Sequence, residues 1–283
     1  MLRRILAVGT LALLLNVPVP QTANAQPPTY AMNAATRDPN PRALSAVELA
    51  AGQQKAAAFR QSLELVLSAR AARGKGAAVM SLSGSVWTDI FMEPQNEPGS
   101  ANWCGPGSTT AVVTNWNSAP YNYNGTYGTG PIAYMKWLAV EGVPGIGPMV
   151  VYPGGNPITY DTTLRDTINN QTSSLFYWIQ NPVSGLSNFV AYLNSDLNGF
   201  DQQHHPLFTI VWTNGLPGWG TWGTRHYQWV VAFDDAANFV QYGDSAGANS
   251  NPYGNPFGWH TSVGLSDYYG HVSNPNAYDE IIW

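Results

Sequence analysis

The sequence predicts an α+β fold, in which helices come first and an antiparallel sheet comes second. Helix candidates dominate as far as Leu197, whereas the apolar runs from Pro206 onward have the length and composition of strands. The turn 234–237 (Asp-Asp-Ala-Ala) joins two of these runs as a hairpin. This separation of helices from strands is typical of α+β domains and differs from the alternation of α/β domains.

Residues 1–25 are predicted to be a secretory signal peptide. Arg3 and Arg4 precede an apolar stretch at 5–17, and Ala23-Asn24-Ala25 forms an A-x-A cleavage site. The apolar stretch is shorter than a typical membrane span. We therefore expect a secreted protein, extracellular or periplasmic, without membrane attachment after cleavage, and typical of a bacterium.

The charge is unevenly distributed along the chain. The 12 basic and 17 acidic residues give a net charge of −5. After Gly84 only three residues are basic, against fourteen that are acidic; the three are Lys136, Arg165 and Arg225. An acidic main domain of this kind argues against nucleic acid as a partner.

Residues 26–81 are predicted to contain a linker and an amphipathic helix. The stretch 26–42 is rich in Pro, Asn and Thr, which favours a flexible linker. Ser45 and Glu48 form a capping box, so a helix should begin there and end before Gly74. Its apolar residues at helical spacing form one stripe, made of Phe59, Leu63, Val66 and Leu67.

This helix cannot bury its stripe alone, so it must pack on the main domain or on another molecule. One interpretation is a structural N-terminal helix. The other is a propeptide, a basic helix on an acidic enzyme, which cleavage near Arg73 or Lys75 would release.

The remainder, 82–283, is predicted to be one domain. Helices are expected at 108–116, 132–140, 162–170 and 186–197, with a loop rich in Gly, Asn and Tyr at 121–130. Strands are expected at 206–213, 227–233, 238–242 and 280–283. The N-terminal helices would pack on the antiparallel sheet formed by these strands.

Cys104 is the only cysteine of the chain. Secreted proteins normally pair their cysteines in disulfides, so a single thiol suggests a nucleophile. Pro106 favours the first turn of a helix, which places Cys104 at a helix N-terminus. The dipole and the free N–H groups there favour a thiolate.

A base and its orienting group follow Cys104 in the sequence. His226 begins an apolar strand, and Asp244 ends the next strand. The hairpin returns the chain to the level of His226, so the Asp244 carboxylate can orient the imidazole toward Cys104. Asp234 and Asp235 compete for this role but lie at the opposite end of the hairpin.

Gln95 lies nine positions before Cys104. Its side-chain amide could form an oxyanion hole together with the Cys104 backbone N–H. Asn102 or the indole of Trp103 is the alternative donor.

These residues resemble those of papain-like cysteine peptidases of the bacteriocin-leader-processing type, the C-thirty-nine-like peptidases in a stand-alone secreted form. The resemblance rests on Gln95, the segment 102–106, His226 with 230–235, and the segment 242–245. It covers roughly 82–283. It implies a papain-like fold and a Cys104, His226, Asp244 triad, with Gln95 in the oxyanion hole.

The expected activity is that of a secreted thiol peptidase, which hydrolyses peptide or amide bonds through a thioester. A cell-wall peptide hydrolase or a transglutaminase-like acyltransferase uses the same triad, so these alternatives remain open. A non-catalytic secreted binding module on the same fold is the alternative from another class. The partner is then a peptide or protein, and the oligomeric state is open.

No cofactor or metal is expected. His204 and His205 near Asp201 lack a recognisable ligand spacing, and a solvated loop is the simpler interpretation. Trp219 and Trp222 precede His226 in a Gly-rich loop and could form a wall of a substrate cleft. Core packing is the more usual role of the tryptophans, including Trp212 and Trp229.

Overall fold

The structure, a computed structural model, describes residues 35–76, 81–91, 100–199, 204–246 and 261–283. The predicted signal peptide at 1–25 lies outside these ranges. Within them, no helix combines the length and the apolar character that crossing a membrane requires.

Seven helices and eleven strands occur in the described residues. The helices are α1 (Ala46–Gly74), α2 (Cys104–Trp116), α3 (Ala119–Asn122), α4 (Gly130–Val140), α5 (Asp161–Gln171), α6 (Leu186–Leu197) and α7 (Leu265–Val272). The strands are β1 (Ala35–Thr36), β2 (Ser83–Ser85), β3 (Asn124–Gly125), β4 (Gly128–Thr129), β5 (Thr159–Tyr160), β6 (Ile179–Gln180), β7 (Leu207–Trp212), β8 (Arg225–Asp234), β9 (Phe239–Gly243), β10 (Thr261–Gly264) and β11 (Ile281–Ile282).

The main sheet is antiparallel throughout. Its strand order is β10-β9-β8-β7-β11-β6, and β2 pairs with the end of β8 beyond β7. The predicted hairpin is confirmed, because β8 pairs antiparallel with β9 across the turn at 235–238. Two small sheets lie apart from it, the parallel pair β1-β5 and the hairpin β3-β4. The chain is thus a mixture of helices with an antiparallel sheet, as the α+β prediction requires.

The sheet separates two helical layers, because successive strand residues point to opposite faces. Tyr227, Trp229 and Val231 of β8 pack in one apolar cluster with α2, α4 and α5. Val230 and Phe233 pack in a second cluster with α1, α6 and α7. Helix α1 therefore lies in the layer opposite to the one that contains Cys104.

Helix α1 packs on α6 with part of the predicted stripe. The capping box of Ser45 and Glu48 is present, and the helix extends through Gly74, where we expected it to have ended. Val66 is buried, Phe59 and Leu63 pack on the core, and Phe59 stacks on Tyr192 with ring centroids 4.1 Å apart. The prediction for Leu67 is wrong, since that side chain is exposed.

Polar contacts also fix α1 to the rest of the chain. Ser62 donates to the carbonyl of Ala191 at 2.8 Å, and the buried amine of Lys55 donates to the carbonyl of Phe176 at 2.8 Å. These buried groups find hydrogen-bond partners across this interface. The helix is thus an integral part of the packed core.

The segment before α1 is bound along its described length, although its composition predicts a linker. Residues 35–36 form β1 beside β5. Arg37 pairs with Glu280 at 2.9 Å, and Arg42 pairs with Asp166 at 2.7 Å. Burial and the nearby Asp161 raise the pKa of Glu280 to about 8, despite the opposing effect of Arg37.

Several elements differ from the sequence-based expectation. Helix α2 begins at Cys104, four residues before the predicted start. The predicted loop at 121–130 contains the end of α3 and the hairpin β3-β4. Helix α7 and the short strands β1, β2, β5, β6 and β10 were not predicted. Strands of two to four residues carry too little periodicity to be recognised, and their pairing partners define them.

The ion pairs at the end of α1 give a prediction on stability. Asp235 contacts Arg73 and accepts from Arg70 Nη2 at 2.6 Å. Burial alone would raise the pKa of Asp235, but the two guanidinium groups lower it below the ordinary 3.8. We expect Asp235→Asn to lower the free energy of unfolding at pH 7 by about 1–3 kcal/mol in urea denaturation.

This contribution has a defined pH dependence. A carboxylate with a lowered folded pKa stabilises fully above its ordinary pKa, and the effect is lost as the pH falls through the folded value. The difference between wild type and Asp235→Asn should thus be constant above about pH 4 and shrink below it. Arg60→Met, which alters an exposed α1 residue, is the control and should change little. A difference that persists at pH 2 would contradict the assignment.

Candidate active site

Cys104 is the first residue of α2, and packing fixes its position. The preceding Trp103 is buried in a small apolar cluster with Met135 and Ala139 of α4. A Cβ at Gly105 would lie 2.5 Å from the Thr159 side chain, so the helix start can lie against β5 only with glycine there. Glycine at this position thus serves the close packing of the helix start against β5.

The β8-β9 hairpin brings His226 and Asp244 together. His226 lies near the start of β8, and Asp244 directly follows β9. His226 Nε2 lies 2.8 Å from Asp244 Oδ1. Because Nε2 is engaged by the carboxylate, Nδ1 is the ring nitrogen that remains for Cys104.

The charges in the site stabilise one another. Burial would lower the pKa of His226, but Asp244 and Cys104 raise it well above the ordinary 6.5, both by charge and by hydrogen bonds. Burial would raise the pKa of Asp244, but His226 and the other donors lower it. The arrangement therefore favours an imidazolium with a carboxylate on one side and the cysteine on the other.

Asp244 accepts four hydrogen bonds. Besides His226, its donors are the Trp219 indole at 2.9 Å, the Gln228 amide at 2.7 Å and the Ala246 backbone N–H at 2.8 Å. The ring of Trp219 also lies 4.9 Å from that of His226, centroid to centroid. Trp219 thus contacts both members of the pair.

Sequence analysis missed Gln228 and the bond from Trp219 to Asp244. The position of Gln228 carried a usable indication. It lies two residues after His226 on the same strand, so both side chains face the same side of the sheet. A polar amide between apolar neighbours on a central strand requires a polar partner.

The three residues are buried. Exposure is 0% for Cys104, 3% for His226 and 2% for Asp244. Ala35 of β1 and Tyr227 belong to the same buried cluster as Cys104. Cys104 is therefore closed to solvent in this structure.

The other proposed site residues lie elsewhere or outside the described ranges. Gln95 lies outside them. Asn102 is buried in the short 3-10 turn Ser100–Asn102, directly before α2. Asp234 and Asp235 bind Ser81 and the arginines of α1, at the far end of the hairpin, as their sequence position predicts.

No group of three potential metal ligands occurs within the described ranges. Asp201 lies outside them. The expectation of a solvated loop is wrong for His205, whose ring stacks on Trp116 with centroids 3.4 Å apart and whose Nδ1 lies 2.6 Å from Asn115 Oδ1. Burial and the charge of Lys55 lower the pKa of His205 to about 3.

Comparison with known proteins gives no match, either to a family model or to a curated protein.

The opposite environments of two histidines give a spectroscopic prediction. We expect His226 to remain an imidazolium above pH 7, because Asp244 holds its proton, and His205 to stay neutral down to about pH 4. The measurement is a pH titration of the imidazole ¹⁵N shifts, with His226→Gln and His205→Gln for assignment.

A single histidine titration near pH 6.5 for both residues would contradict the site as described. Asp244→Asn tests whether the Asp244 carboxylate is what raises the pKa of His226. It should lower the pKa of His226 and leave that of His205 unchanged, since the ring of His205 contacts Asn115, Trp116 and Phe176.

Proposed function

We propose that the chain is a secreted thiol peptidase of papain-like fold, which hydrolyses peptide or amide bonds through a thioester at Cys104. The observation that carries the proposal is the hydrogen-bonded His226–Asp244 pair beside a single cysteine at a helix N-terminus. A nucleophile, a base and an orienting carboxylate are the parts that such chemistry requires.

Acylation begins from the charged pair. The Cys104 thiolate attacks the substrate carbonyl carbon, and the negative charge moves to the carbonyl oxygen. When the tetrahedral intermediate collapses, the bond to the leaving amine breaks and His226 donates its Nδ1 proton to that amine. A thioester remains on Cys104, and His226 is left neutral, with its Nε2–H still held by Asp244.

Deacylation reverses these roles. Neutral His226 accepts a proton through Nδ1 from a water molecule, whose oxygen attacks the thioester. The acid product leaves and the thiolate–imidazolium pair is restored. The backbone N–H of Cys104, in the first turn of α2, has no partner within the helix and can stabilise the oxyanion. Gln95 is the proposed second donor.

The alternatives share part of this chemistry. A transglutaminase-like acyltransferase or a cell-wall peptide hydrolase would differ in the acceptor or the substrate, and not in the triad. A non-catalytic binding module would leave the buried Cys104 unacylated. The peptide substrate and secretion by the segment 1–25 belong to this proposal.

The activity test uses fluorogenic peptide libraries with wild type and matched variants. We expect Cys104→Ala and His226→Ala each to lower kcat/KM by at least about 10³-fold, since triad members act as a unit. Wild type quenched in acid should carry an acyl adduct on Cys104, detectable by mass spectrometry, and Cys104→Ala should carry none.

Trp116→Phe is the control, because this half-buried residue lies at the other end of α2 and stacks on His205. Its kcat/KM should stay within about threefold of wild type. Hydrolysis that survives Cys104→Ala would overturn the thiol mechanism. Absence of both hydrolysis and adduct over a broad library would favour the binding module.

A further inference from the structure

We propose that Gln228 is a positioning residue, which Tyr268 and Thr209 hold in one orientation so that it fixes the Asp244 carboxylate on His226. This inference rests on the proposed function for its catalytic consequence. Its structural part, the control of the His226–Asp244 pair, can be measured without a substrate.

The hydrogen bonds form a chain between three elements. Gln228 Nε2 donates to Asp244 Oδ2 at 2.7 Å. Tyr268 of α7 donates its hydroxyl proton to Gln228 Oε1 at 3.1 Å, and the Thr209 hydroxyl of β7 lies 2.7 Å from the Tyr268 oxygen. Gln228, Tyr268 and Thr209 are all buried completely.

The direction of this chain is determined by the available protons. Tyr268 has one hydroxyl proton, which it gives to Gln228, so Thr209 must be the donor to Tyr268. Gln228 Oε1 is thereby occupied and only its N–H₂ group can face Asp244. The amide thus presents a donor to the carboxylate, and flipping it would bring two acceptors together.

The arrangement on Asp244 shows what this bond achieves. One carboxylate oxygen accepts from His226 and from the Ala246 N–H, and the other accepts from Gln228 and Trp219. Donors on both oxygens prevent the carboxylate from rotating away from the imidazole. Trp219 lies in a loop, whereas Gln228 and His226 lie on the central strand β8. Gln228 is therefore the donor to the second carboxylate oxygen that a strand holds in place.

The ionisable groups around Asp244 belong to several elements. They are His226 on β8, Tyr242 on β9, Tyr268 on α7 and Cys104 on α2. Burial raises the pKa of both tyrosines well above 10, so they remain neutral across the working pH range. His226 is therefore the group near Asp244 whose charge reports a change in Gln228.

The decisive variant is Gln228→Met, which keeps the length of the side chain and removes its hydrogen bonds. We expect the pKa of His226, followed by imidazole NMR, to fall by about one pH unit, because a carboxylate that can rotate away hydrogen-bonds the imidazolium less well, and such a bond contributes about 1–3 kcal/mol. The upper pH limb of kcat/KM should fall by the same amount, because activity requires the imidazolium.

Two further variants separate positioning from general destabilisation. Tyr268→Phe should lower the pKa of His226 by a smaller amount. The double variant Gln228→Met/Tyr268→Phe should lower this pKa no further than Gln228→Met alone. The control is Asn194→Leu, an equally buried amide on α6 that donates to Ser62 at 2.9 Å. Asn194→Leu should lower the free energy of unfolding and leave the pKa of His226 unchanged.

The outcomes are distinguishable. An unchanged or raised His226 pKa in folded Gln228→Met and Tyr268→Phe overturns the positioning role, whatever the activity. If Gln228→Met does not fold, Tyr268→Phe decides in the same way. A shifted His226 pKa in a protein that hydrolyses no peptide supports the positioning role and counts against the proposed function.

Discussion

The hydrogen bond between His226 and Asp244 is the interaction on which the rest of the site depends. Two ionised groups in a buried setting are costly unless they are paired and their remaining lone pairs are satisfied. The 2.8 Å contact supplies the pairing, and Trp219, Gln228 and the Ala246 N–H supply the remaining donors. If either His226 or Asp244 moved away, the other would be left as an uncompensated buried charge. The surrounding residues therefore have to hold both side chains in place.

The architecture provides this support from two sides of a sheet. The hairpin β8-β9 holds the pair, and α2 brings Cys104 to it from one layer. Helix α7 supports the pair from the other layer through Tyr268. Helix α1 closes that second layer by packing on α6. Side chains on a strand that is packed between two layers are held in a more precise geometry than side chains on a loop.

Sequence reasoning recovered the features that local pattern determines. The capping box of α1, four further helices and the hairpin each have a periodicity or a turn composition, and the hairpin alone brings Asp244 to the level of His226. The short strands, α7 and the bound segment at 35–42 could not be found, because tertiary pairing defines them. The position of Gln228 on the strand indicated that it needs a polar partner, but the partner itself could not be named, since Tyr268 is forty residues away. The prediction that Leu67 is buried was wrong, because helical spacing identifies the apolar face of α1 but does not show how much of that face the neighbouring elements cover.

The pH dependence of Cys104 alkylation by iodoacetamide, in wild type and in His226→Ala, tests the central claim most directly. The account predicts that folded wild type reacts at pH 6, and that the variant, which lacks the imidazolium, reacts much more slowly at that pH. Since Cys104 is buried, each rate is referred to that of the urea-unfolded chain at the same pH. Equal pH profiles for the two folded proteins would contradict a thiolate–imidazolium pair.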